Sequence, residues 1–116
     1  MATLTLYGIK NCDTVKKARK WLEGKGLEYQ FHDFREQGLT ATTVKSWLSE
    51  QGVDTLINKR STTWKQLSEA EKAQIMSGDI IDIVLQNPTL IKRPVLSYSN
   101  GTQVGFSDKN YTEILG

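Results

Sequence analysis

The stretch Leu4-Thr-Leu-Tyr-Gly-Ile-Lys-Asn-Cys12 leads from an alternating strand through a glycine-containing turn to the only cysteine of the chain. Asp13-Thr-Val-Lys-Lys-Ala18 follows it and begins a basic helix. Residues 3–7 alternate Thr, Leu, Thr, Leu, Tyr, the pattern of a half-buried strand, and Ala18, Trp21 and Leu22 stand at helical spacing within residues 16–25. Gly24 and Gly26 close that helix. Residues 27–34 alternate again, with Leu27, Tyr29 and Phe31 on one face and Glu28, Gln30 and His32 on the other. The unit is β-α-β, with two parallel strands joined by a right-handed crossover.

Outward from this unit the middle of the chain is helical. Thr40 or Thr42 caps a helix bearing Val44, Trp47 and Leu48, which Gly52 stops. Two or three shorter helical pieces follow. Ser68-Glu-Ala-Glu71 has the spacing of a capping box, and Asp79 is placed to cap residues 80–85. Residues 90–98 and 102–106 then read as two strands around a type I′ turn at Asn100-Gly101. Ser107 or Asp108 caps a last helix containing Tyr111, Ile114 and Leu115. The order is β-α-β, a helical region, then β-β-α, an α/β organisation.

The position of Cys12 is chemical. A thiol at a helix N-terminus lies near unpaired N–H groups and the positive end of the helix dipole, which favour thiolate over thiol. A buried free cysteine acting as a small hydrophobe is the bland reading, but Asp13, Thr14 and then Lys16, Lys17, Arg19 and Lys20 make this turn polar and electropositive. Lys16 is the nearest of these lysines. The four cations also read as a solvated helix face. Thr14 either caps the helix or hydrogen-bonds the Cys12 sulfur. His32 and Asp33 read as a surface edge without a catalytic part, and Trp21, Trp47 and Trp64 as core.

Composition narrows the classes. One cysteine forms no internal disulfide, and with one histidine it makes no zinc cluster, so no metal is expected. The net charge of +2, with dispersed lysines and arginines, argues against a nucleic-acid surface. The first ten residues lack a basic-then-apolar leader and no stretch is apolar enough to span a membrane, so the expectation is a cytoplasmic protein without membrane contact. At 116 residues it is read as one domain, 1–116, with a helical insertion at about 40–88.

The order of elements, with a thiol after strand one and Arg93-Pro94 at the start of strand three, resembles a thioredoxin/glutaredoxin-like fold carrying a helical insertion. Four stretches, residues 7–18, 60–67 (Arg60-Ser-Thr-Thr-Trp-Lys-Gln-Leu67), 91–95 (Ile91-Lys-Arg-Pro-Val95) and 104–107 (Val104-Gly-Phe-Ser107), together resemble the ArsC/Spx family. The likeness runs through essentially the whole chain, with its YffB branch nearest. It implies thiol redox chemistry with glutathione as co-substrate and no bound organic cofactor.

Residue by residue, the resemblance makes Cys12 the nucleophile and Arg93 an anion-binding arginine of the catalytic site. Pro94 matches the cis-proline that thioredoxin-like proteins place opposite the thiol; on residue type alone, a trans proline at a sheet edge reads equally well. Arg60 matches a middle-region basic residue, with Lys59 adjacent. The resemblance also shows two gaps. The arsenate reductases carry a further arginine after the strand-three hairpin, where this chain has Gln103-Val-Gly-Phe-Ser-Asp108. The Spx regulators often pair their thiol as Cys-x-x-Cys, and Cys12-Asp-Thr-Val15 has one thiol. The resulting expectation is a monomeric glutathione-dependent thiol reductase that works through a mixed disulfide, with Cys12 and Arg93 catalytic and Arg60, Pro94, Thr14 and Lys16 binding substrate. A divergent arsenate reductase is one alternative. An Spx-like adaptor, holding a protein of the transcription machinery, is the other.

Overall fold

The computed structural model describes residues 4–98 and 101–115. It divides into two compact units, one formed by described residues of 1–37 and 93–116 and the other by Gly38–Lys92. The first holds β1 (Leu4–Gly8), α1 (Asp13–Gly24), β2 (Tyr29–Asp33), the short α2 (Phe34–Gln37), β3 (Val95–Tyr98), β4 (Gly101–Val104) and α8 (Asp108–Leu115). The second holds α3 (Ala41–Gln51), α4 (Val53–Leu56), α5 (Thr62–Gln66), α6 (Glu69–Met76), α7 (Ile81–Gln86) and a 3-10 turn, Pro88–Leu90.

Four strands form one sheet in the order β2-β1-β3-β4. β1 and β2 are parallel, with Leu6 beside Phe31, while β1–β3 and β3–β4 are antiparallel. This is the thioredoxin/glutaredoxin-like arrangement, β-α-β followed by β-β-α. The alternation read in the sequence produces it: Leu4, Leu6 and Gly8 are buried while Thr5 and Tyr7 are half-buried. Leu4 and Leu6 pack with Val15, Ala18 and Leu22 of α1, Leu96 of β3 and Tyr111 of α8 into one apolar cluster. Trp21 and Phe106 both meet the Tyr111 ring edge-on, at 5.5 and 4.8 Å. Gly8 is a packing requirement: a Cβ there would lie 2.6 Å from Cγ2 of the fully buried Val15.

Several boundaries differ from the sequence reading, each for a local reason. α1 ends in a Schellman motif, with Gly26 at φ +71° and the amides of Gly26 and Leu27 donating to the carbonyls of Glu23 and Leu22. Leu27 is thereby used to close the helix, and β2 begins at Tyr29. The expected strand from residue 90 starts only at Val95. Leu90 belongs to the 3-10 turn, Ile91 makes an isolated bridge with Ile57, and Pro94 brings no N–H to the ladder. Gly101 pairs with Tyr98 as the first residue of β4, and the turn assigned to Asn100-Gly101 lies partly outside the described residues. Asp79 does not cap α7, whose N-cap is Ile80 without a side-chain bond. Ser107 caps α8, its hydroxyl accepting from the Asn110 amide at 3.1 Å.

In the helical unit the caps settle as polar side chains at the right spacing require. Thr40 accepts from the Thr43 amide and Ser61 from the Trp64 amide. Ser68 and Glu71 form both halves of a capping box at 3.1 and 3.0 Å. Val44, Trp47, Leu56, Ile57, Ile75, Ile80, Val84, Leu90 and Ile91 are buried.

Candidate functional site at the start of the first helix

Cys12 occupies the N-cap position of α1, with φ −85° and ψ 124°. Its amide donates to the Ile9 carbonyl at 3.1 Å, which closes the turn out of β1, and its carbonyl accepts the first helical bond from Lys16 at 3.0 Å. The side chain makes no capping bond; it is half-buried and packs against the apolar cluster. A sulfur is a weak acceptor, so the N–H groups of the first turn remain available to an anion placed there.

The turn is held from β2. Asp33 is buried, 4% exposed, and its carboxylate accepts from the Lys10 amide at 3.1 Å and from the Glu36 amide at 3.1 Å. It thus ties the residue two before Cys12 to the start of α2. The Lys10 ammonium adds an exposed ion pair with Glu36 at 2.6 Å, and that bond raises the lysine above its ordinary range. Reading Asp33 as a surface edge was therefore incorrect. Its position at the end of a parallel strand, beside the turn of the neighbouring strand, is what buries it. The spacing Asp33-x-x-Glu36 was the available signal, since a carboxylate ahead of an amide three residues on is a cap. His32 pairs in register with Tyr7, their rings 4.9 Å apart.

Pro94 approaches from the other side of β1. The Arg93–Pro94 peptide is cis. Tyr7 pairs with Val95, so the residues just beyond them, Gly8 and Pro94, lie at the same end of the two central strands, and the turn carrying Cys12 leaves from that end. The Pro94 carbonyl accepts from the Gly105 amide at 2.8 Å. Arg93 is half-buried and its guanidinium has no hydrogen-bond or ion-pair partner among the described residues. Cys12, Pro94 and Arg93 thus belong to one unit and Cys12 and Pro94 to one end of its sheet.

Thr14 and Lys16 lie in the first turns of α1. Thr14 does not cap the helix, a position Cys12 takes, and its hydroxyl bonds neither the Cys12 sulfur nor any other described group. Lys16 is exposed and unpaired among the described residues. Arg60 belongs to the helical unit, just ahead of the Ser61 cap. The adjacent Lys59 is engaged by Asp54 at 3.0 Å, while the Arg60 side chain has no partner among the described residues. Among those residues no group of three or more His, Cys, Asp and Glu could hold a metal ion, and no helix is long and apolar enough to cross a membrane.

A thiol at the N-cap after the first strand, at the sheet end where an antiparallel third strand is entered through a cis Arg-Pro, defines a thioredoxin-like protein. The chain belongs to the ArsC family, which it matches over residues 7–114. It is similar to the YffB protein of known structure, with 41% identity, a TM-score of 0.92 and coverage of 97% of this chain and 99% of that one. An uncharacterized protein of Haemophilus influenzae is 44% identical over 108 residues, 93% of this chain and 95% of that protein. The global transcriptional regulator Spx of Streptococcus pyogenes is 29% identical over 114 residues, 97% of this chain and 84% of the regulator. The likeness to each is therefore one of whole chains rather than of a shared segment.

Proposed function

We propose that this chain is a cytoplasmic, monomeric monothiol oxidoreductase, a glutathione-dependent thiol reductase with Cys12 as nucleophile. The observation that carries the reading is the N-cap position of Cys12 on a turn tied down by Asp33, at the sheet end where Pro94 also lies. Having one thiol fixes the order of events. The Cys12 thiolate attacks the glutathione sulfur of a mixed disulfide; the Cys12–glutathione S–S bond forms, the original S–S bond breaks, and the substrate leaves as thiolate with the electron pair. A second glutathione thiolate attacks that adduct, yielding oxidised glutathione and restoring the Cys12 thiolate.

Arg93 serves this cycle as the cationic contact for a glutathione carboxylate. Pro94, Thr14 and Lys16 line the place where the substrate lies, and Arg60 is the further anion contact that the family resemblance implies. Residues 1–116 act as one ArsC-like domain with a helical insertion at about 40–88. The cycle requires no metal and no resident organic cofactor.

Intact mass after incubation with oxidised glutathione tests it. The wild type gains one glutathionyl group, removed by excess reduced glutathione, and Cys12→Ser gains none. Absence of an adduct, under conditions where a thiol reagent still labels Cys12, would overturn the glutathione site. Arsenate turnover is expected to be weak or absent. An oxyanion relies on several convergent donors, and the missing arginine in residues 103–108 removes a charge-assisted hydrogen bond of about 1.5–3 kcal/mol, about one to two powers of ten in rate. Steady-state arsenate reduction coupled to glutathione, run beside a disulfide assay on one preparation, checks this.

The likeness to Spx over nearly the whole chain supports a second reading, a non-catalytic adaptor that docks on the transcription machinery. Stable co-purification with a polymerase subunit, together with a Cys12→Ser variant of undiminished function, would favour it.

A further inference from the structure

Lys16, Arg19 and Lys20, with Glu23 at the far end, border a shallow groove of about 230 Å³ along α1. Counted from Cys12 these are positions four, seven, eight and eleven along, so the cations form one stripe that runs up the helix from the end where Cys12 is the N-cap. At 1.5 Å per residue Lys20 stands roughly 12 Å along the axis from Cys12 and Glu23 roughly 16 Å.

The arginine in this stripe is held in place. Its guanidinium carbon sits 4.4 Å from the centre of the Phe31 ring, and its Nε donates to the Tyr29 hydroxyl at 3.1 Å. That hydroxyl donates in turn to the Glu23 carboxylate at 2.9 Å. Burial, assisted by Glu23 and opposed by Arg19, holds the Tyr29 phenol above its ordinary range, so it keeps the proton it gives to Glu23. The terminal nitrogens of Arg19 and the ammonium groups of Lys16 and Lys20 have no hydrogen-bond or ion-pair partner among the described residues. A face that served only solubility would have no use for an immobilised arginine. Here β2 supplies an aromatic ring and a phenol that orient one cation between two exposed ones.

We infer that this groove docks an acidic protein segment flanking the substrate's disulfide sulfur, an inference that rests on the thiol-exchange reading of Cys12. An extended chain advances about 3.3–3.6 Å per residue, so carboxylates two to four residues from the substrate cysteine reach the span from Lys16 to Lys20. Glu23 closes the far end with a negative charge and repels acidity that continues beyond it. The chemistry is the exchange already described: Cys12 takes the glutathione sulfur, and the docked protein leaves as thiolate.

Two single-cysteine peptides, each joined to glutathione, test it: one with Asp at the second, third and fourth positions from the cysteine, one with Lys there. The wild type is expected to reduce the acidic peptide about five- to tenfold faster at low salt, a preference that shrinks toward unity near 1 M salt, where the screening length falls to about 3 Å. Arg19→Gln with Lys20→Gln removes most of the preference. Equal, measurable rates for the two peptides overturn the docking site while leaving the thiol reaction standing. Amide shifts confined to Lys16–Glu23 on adding a cysteine-free acidic peptide support the docking site even if neither peptide is turned over. Equal shifts with a single-stranded oligonucleotide overturn the assignment to an acidic protein.

Discussion

The start of α1 and the starts of α3, α5 and α6 use the same backbone groups differently. α3, α5 and α6 begin with Thr40, Ser61 and Ser68, whose hydroxyls accept from an amide of the first turn. α1 begins with Cys12, whose side chain accepts nothing. A hydroxyl cap satisfies a donor permanently and is typically worth about 1 kcal/mol; a sulfur leaves the donors facing whatever anion the thiol becomes or receives. The stabilisation forgone at α1 is replaced from outside the helix, by Asp33 holding Lys10 and by Gly8 letting Val15 close on β1. The start of α1 is thus supported from the strands, and the starts of α3, α5 and α6 from their own sequence.

The largest expected effect erases this difference. Cys12→Ser converts α1 into a capped helix, so glutathione uptake is lost altogether while unfolding free energy rises by about 0.5–1 kcal/mol. Denaturant melts beside the mass assay check both; a fall in stability would show that the packing of the sulfur outweighs the missing cap. Asp33→Ala attacks the external support. Two amides lose a charged acceptor, and the expected cost is about 2–3 kcal/mol in the same melts. Alkylation of Cys12 at neutral pH should change in rate as the turn loosens. An unchanged rate with lowered stability would confine Asp33 to a structural part.

How legible these two helix starts were in the sequence follows from how local their determinants are. Ser68 and Glu71 are three residues apart and were readable outright, as were the alternation of β1 and the helical spacing of Ala18 and Leu22. The turn at Cys12 is legible in the sequence, but the burial of Asp33 is not, because its partner Lys10 lies 23 residues away and only the parallel pairing of β1 with β2 brings them together. The first part of the strand expected over residues 90–98 departs for a similar reason, β3 covering only Val95–Tyr98. Ile91 and Ile57 form a bridge that no local pattern announces, so the burial of Ile91 does not come from the sheet. Of the residues singled out, Cys12, Arg93 and Pro94 came from motif and position together. Thr14 is a plausible capping side chain two positions too late, since the chain turns helical at Asp13 and Cys12 takes the N-cap.

The smallest expected effect returns to a structural helix start. In α6 the Ser68 hydroxyl accepts from the Glu71 amide and the Glu71 carboxylate accepts from the Ser68 amide, both on an exposed surface. Ser68→Ala removes the first bond and costs about 1 kcal/mol. Glu71→Ala removes the second and also a favourable negative charge in the first turn, about 0.3–1 kcal/mol, a contribution that salt weakens. Because the two bonds close one reciprocal loop, the double variant should lose less than the two single losses added together. Denaturant melts at low and high salt measure all three, and the Cys12 alkylation rate serves as the control: helix stability in the Gly38–Lys92 unit should fall without any change in the thiol. A shift in that rate would mean that the two kinds of helix start are coupled, and the division between them would have to be abandoned.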